Sequence, residues 1–162
     1  MRRQTLVLLA GSALVSAACG GGGSGTGSPV AAPVAPSNPQ ATPVRIRLTV
    51  DGQVATATLY DNATARGFAA QLPLSLTLTD YARIERIAYL PQRLPAGPAE
   101  STIPVNAGDL AYYAPWGNIA IFVENGTGNY TGDLMRLGRV ETGLPVLQRA
   151  GPLQVRIERI PD

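Results

Sequence analysis

Ile46, Leu48 and Val50 alternate with Arg45, Arg47 and Thr49, the period-two pattern of a strand buried on one face. Asp51-Gly52 follows, and a second alternating run occupies Gln53 to Tyr60. Residues 44–60 are therefore predicted to form a β-hairpin on a two-residue turn. Asp61 or Asn62 then offers a helix cap, and Ala65, Phe68, Ala69 and Leu72 fall at helical spacing before Pro73. Alternation resumes in Leu74 to Thr79 and again in Ile84 to Tyr89, ending at Pro91. The proline- and glycine-rich stretch from Pro91 to Asn106 reads as a long surface loop. Ala107 to Ala114, Asn118 to Glu124 and Leu134 to Thr142 read as three further strands. Gly143 to Ala150 suits a short helix with Pro145 in its first turn, and Leu153 to Ile160 closes the chain as a strand. Eight strands and two short helices result. Mostly antiparallel strands in this number close most simply into a barrel, which removes exposed sheet edges. The expected fold class is mainly β, a closed eight-stranded barrel with two short helices.

Ahead of this region the pattern changes. Arg2 and Arg3 precede an apolar run from Leu6 to Val15 and the small residues Ser16, Ala17 and Ala18, the layout of a secretory signal. The run is about ten residues, half of what a membrane span requires. Residues 20–43 consist mainly of glycine, serine, alanine and proline, with no charge and no aromatic ring. Such a chain gains too little burial to offset its ordering entropy. Three segments follow: a signal peptide over 1–18, a tether over 19–43 and a folded domain over 44–162.

Composition narrows the chemistry. The chain of 162 residues has no histidine and one cysteine. That inventory excludes a Ser/His/Asp triad, a Cys/His pair, a histidine-containing zinc site and an intramolecular disulfide. All 13 basic residues are arginines. Without Arg2 and Arg3, the remaining 11 face 11 acids, so the balance gives no support to a nucleic-acid partner. Asp109, Glu124 and Asp133 have no spacing of a metal-ligand loop and sit at strand ends, where acids are usually solvated. No metal and no cofactor is expected.

Two resemblances add to this reading. Cys19, directly after Ala17 and Ala18, resembles the lipid-modified cysteine of bacterial lipoproteins. It implies an anchor at Cys19, a membrane partner, and a location in the bacterial cell envelope, at the periplasmic face of the outer membrane. The hairpin RIRLTVDGQVATATLY, the helix DNATARGFAAQL, the late strand LMRLGRVETG and the last strand LQVRIERI resemble the cyclophilin fold. IAYLPQRL and GDLAYYAPWGNIAIF are similar to small bacterial cyclophilin-like proteins.

Cyclophilins are peptidyl-prolyl isomerases with an apolar proline groove and an arginine donor that weakens the resonance of the prolyl amide. By order along the chain, the resemblance assigns that arginine to Arg86. It assigns the groove lining to Tyr89, Tyr113, Trp116, Ile119 and Ile121. Tyr112 and Tyr113 are adjacent on a strand, so only one can line a given pocket. The groove histidine of the family has no counterpart here. The expected function is a lipid-anchored envelope binding module for a proline-containing peptide or small ligand; the alternative is a prolyl isomerase acting on envelope proteins.

Overall fold

The computed structural model describes residues 43–97, 103–131 and 133–161. The expected signal segment, the anchor at Cys19 and all of the tether except Pro43 lie outside the described residues. The elements follow the order β1 (Arg45–Val50), β2 (Gln53–Leu59), α1 (Ala63–Ala70), β3 (Leu74–Tyr81), β4 (Glu85–Tyr89), β5 (Asp109–Tyr113), β6 (Asn118–Phe122), β7 (Leu134–Thr142), α2 (Leu144–Leu147) and β8 (Leu153–Arg159). All neighbouring strands are antiparallel and close a barrel in the order β1-β2-β7-β5-β6-β4-β3-β8. Asp51 and Gly52 both carry positive φ, 47° and 77°. Those values match the right-handed twist of the flanking strands and set the β1–β2 register with Val50 opposite Gln53.

The alternating residues of β1, β2 and β8 turn Ile46, Leu48, Ala55, Ala57, Val155 and Ile157 into the barrel interior, where each is buried. Both helices add to this core, α1 through Ala65, Phe68 and Ala69 and α2 through Leu147. Asn62 caps α1, its Oδ1 accepting from the Ala65 amide at 2.8 Å. At Gly138 β7 approaches β2 so closely that a Cβ would collide with the Thr58 carbonyl oxygen and lie 2.9 Å from the Leu59 Cα.

Two expectations change. The helix expected over Gly143 to Ala150 is a single turn over Leu144–Leu147, and the carbonyls of Leu147, Gln148 and Arg149 at its end accept from Arg86 instead. Nor is the stretch from Pro91 to Asn106 wholly superficial, since Leu94 and Val105 are buried. Val105 belongs to a second, smaller core on the outer side of the barrel wall, with Ile87, Ala111, Ala120, Phe122 and Tyr130. The covering segments are tied together by the Val105 amide on the Gly128 carbonyl (3.1 Å) and the Tyr130 amide on the Ile103 carbonyl (2.8 Å). As a result β6 is buried on both faces, which is why NIAIF shows no alternation.

Candidate functional site

The second core stops short of one end of the β4–β6 wall and leaves a cavity of about 220 Å³ on the outer surface. Ile87 and Asn118 come from the outward faces of β4 and β6, and Leu134 and Thr131 border them. Three aromatic rings stand around this floor. Trp116 lies edge-to-face with Tyr113, centroids 5.5 Å apart and planes at 82°, and with Tyr81, 5.7 Å and 86°. Trp116 and Tyr81 remain exposed to nearly half their surface, at 46% and 43%. Large apolar rings held in solvent around a concavity are what a ligand surface requires. The volume suits one group of side-chain size rather than a large cofactor.

Beside the rings, the cavity is lined by the polar residues Glu85, Asn118 and Thr131. Glu85 lines it at the start of β4, and burial pushes its carboxyl above the ordinary value of 4.5. Asn118 is 2% exposed. Its Nδ2 donates to the Ile119 carbonyl at 3.1 Å, which fixes the amide orientation, while its buried Oδ1 has no partner among the described residues. A buried acceptor left unpaired costs about 1–3 kcal/mol. Tyr81 and Glu85 are paired across the β3–β4 turn, where Ala82 and Arg83 hold positive φ of 52° and 67°. Non-glycine residues there are strained, so two pocket residues flank a backbone kept under tension.

Arg86 faces the other way. Strand alternation turns Glu85, Ile87 and Tyr89 outward and Arg86 and Ala88 inward. Arg86 is 4% exposed. Its Nε donates to the Leu147 carbonyl at 2.9 Å, and its Nη2 to the carbonyls of Gln148 (3.3 Å) and Arg149 (2.6 Å). Its Nη1 pairs with Asp80 Oδ2 at 2.8 Å. The guanidinium thus caps the C-terminal end of α2, where a cation complements the helix dipole.

The residues expected to share one groove are divided between the two faces of the wall. Arg86 and Ile121 are cross-strand partners, and Ile119 and Ile121 are fully buried in the barrel interior. Tyr113 and Trp116 meet in the outer pocket; Tyr89 is on the outer face, 63% exposed, and does not line it. Tyr112 points inward, its hydroxyl accepting from the Leu94 amide at 3.1 Å. Glu85, Asn118 and Tyr81 escaped the sequence reading. Parity on β4 was the available signal, because placing Arg86 in the interior places Glu85 outside.

The expected solvation of Asp109 is also corrected. Asp109 is buried, paired with Arg139 Nη1 at 2.6 Å, and accepts from the Asn106 amide at 2.9 Å. Close by, burial and the charge of Asp109 push the Tyr130 hydroxyl well above its ordinary range. No group of three or more metal-ligating side chains occurs among the described residues.

A model of the cyclophilin-like family matches residues 48–158. Among solved structures, the barrel is similar to a hypothetical protein from Archaeoglobus fulgidus determined in solution, with 22% sequence identity and a TM-score of 0.54. That match covers 73% of this chain and 95% of the archaeal one, and at this identity it speaks to fold alone. No curated protein matches the chain.

Proposed function

We propose that this chain, which belongs to the cyclophilin-like family, is a binding module whose ligand docks a side-chain-sized group into the outer pocket of Trp116, Tyr113 and Tyr81. One observation carries the reading: the aromatic pocket and the buried arginine lie on opposite faces of the wall, and the arginine's donors are engaged by α2 and Asp80. Catalysed prolyl rotation needs a donor aimed at the amide being twisted, and the arginine assigned that role faces the other side of the wall.

A protease-free prolyl isomerisation assay on the full chain tests this. Exchange at the uncatalysed rate is the expected result. Strong acceleration abolished by Trp116→Ala in a folded protein would make the pocket an isomerase site instead.

The module's address belongs to the same proposal. Cys19 carries a lipid anchor at the periplasmic face of the outer membrane, and residues 20–43 are the tether that joins it to the domain. The support is the order of Arg2-Arg3, the apolar run, Ala17-Ala18 and Cys19 in the sequence. Mass spectrometry of the mature chain should find Cys19 lipidated at the N-terminus, and Cys19→Ser should move the protein to the soluble fraction. An unmodified Cys19 in the membrane fraction would refute the anchor.

A further inference from the structure

The polar groups of the pocket lie at separate points along it. Glu85 is opposite Phe122 and Asn118 is opposite Tyr89, so along β6 the two positions are four residues apart, roughly 13 Å. Ile87 lies between them, opposite Ala120, and Trp116 reaches from Tyr81 beside Glu85 to Tyr113 beside Asn118. Asn118 Oδ1 has almost no accessible surface, so the acceptor that an occupant can reach is the Glu85 carboxylate, which lines the cavity. An occupant must bring that carboxylate a donor, preferably cationic, on an apolar stem that runs over Ile87.

The nearly perpendicular planes of Trp116 and its two tyrosine neighbours form the corners of a box. A compact ammonium touches two such walls at once, whereas a planar guanidinium stacks on only one. A quaternary ammonium has no N–H to offer Glu85.

We infer that the pocket selects a primary ammonium on an aliphatic stem, the chemistry of a lysine residue or a linear diamine. The ammonium pairs with Glu85 beside the aromatic walls, and the four-carbon stem of a lysine covers Ile87. The chain contains no lysine, so no lysine of its own competes for the site. This assignment rests on the reading of the pocket as a ligand site.

Trp116 is the sole tryptophan and reports occupancy through its fluorescence. The full chain is titrated with Nα-acetyl-lysine methylamide, its norleucine counterpart, Nα-acetyl-proline methylamide and 1,5-diaminopentane. The lysine probe should saturate the signal, with the norleucine probe about tenfold to a hundredfold weaker for want of the ion pair and the cation–π contact. Glu85→Gln, conservative and partly exposed, removes the ion pair and keeps the rings, so it should weaken the lysine probe part of the way to the norleucine level and leave the norleucine probe unchanged. Equal affinity of diamine and lysine probe identifies a free diamine as an adequate ligand, and a weaker diamine identifies a peptide residue; either supports the ammonium assignment.

The assignment is overturned if norleucine binds as tightly as lysine, if Glu85→Gln leaves lysine binding intact, or if only the proline probe saturates. In each of those cases the pocket remains a binding site. A folded protein in which no probe moves Trp116 would overturn both readings.

Discussion

Replacing Arg86 by methionine keeps much of the aliphatic volume of the side chain and removes its guanidinium. Four hydrogen bonds disappear, three to the carbonyls of Leu147, Gln148 and Arg149 and one to Asp80. Their weights differ. Leu147 is fully buried, so its carbonyl loses a charged donor with poor access to water, at a cost of about 1–3 kcal/mol. Gln148 and Arg149 lie in the surface turn after α2, where rehydration limits the loss, and the half-exposed Asp80 contributes no more than about 1 kcal/mol. The sum is about 2–4 kcal/mol. For a folded region of this size 1 kcal/mol shifts Tm by roughly 4 °C, so Arg86→Met should melt about 8–16 °C below the parent by far-UV circular dichroism. Pocket affinity read through Trp116 should remain within about twofold, since the substitution lies on the other face of the wall. Parental Tm together with a loss of ligand binding would refute this account and restore Arg86 to the site.

The remaining predictions concern the pocket and the frame that holds it. Trp116→Ala should weaken ligand binding by about tenfold or more while changing stability by less than about 1 kcal/mol, because the ring is half-exposed and fills no core space; calorimetric titration and a urea melt separate the two effects. Burial raises the Glu85 carboxyl, so the folded state holds that proton more tightly than the unfolded chain, and stability falls as pH rises from the ordinary carboxylate value through the folded one. Glu85→Gln should therefore raise Tm at neutral pH and lose that advantage below the ordinary value of 4.5; an advantage that persists unchanged into acid would show that the charge is not its source. Gly138→Ala drives a Cβ into the Thr58 carbonyl and should cost about 2–4 kcal/mol, whereas a chemical melt matching the parent would mean that β7 shifts freely past β2.

Most of the fold was legible because alternation and turn chemistry agreed along the chain. The Asp51-Gly52 turn, the Asn62 cap and the alternating runs that became β1, β2, β3 and β8 each follow from local rules. The second core was not legible. Ala111, Ala120 and Phe122 look like strand interior whichever face they occupy, and only tertiary structure shows that Val105 and Tyr130 fold back over them.

The site was half legible for the same reason. Trp116 and Tyr113 were assigned to a groove by the cyclophilin resemblance, and they meet in the outer pocket. Arg86, Ile119 and Ile121 made a self-consistent set on one face, but order along the chain does not say which face of a closed wall is the inside. Glu85 and Asn118 gave no motif at all; their meaning comes from burial and from the unmet acceptor on Asn118.

The central claim is that ligand binds on the outer face of the β4–β6 wall. Its most direct test is a ¹H–¹⁵N chemical-shift titration of the full chain with Nα-acetyl-lysine methylamide. The account predicts saturable shifts at the Trp116 indole, the Asn118 side-chain amide and the backbone of Glu85 and Tyr113, with Arg86, Leu147 and Gln148 unmoved. Shifts centred on Arg86 and the α2 turn, with Trp116 silent, would contradict it.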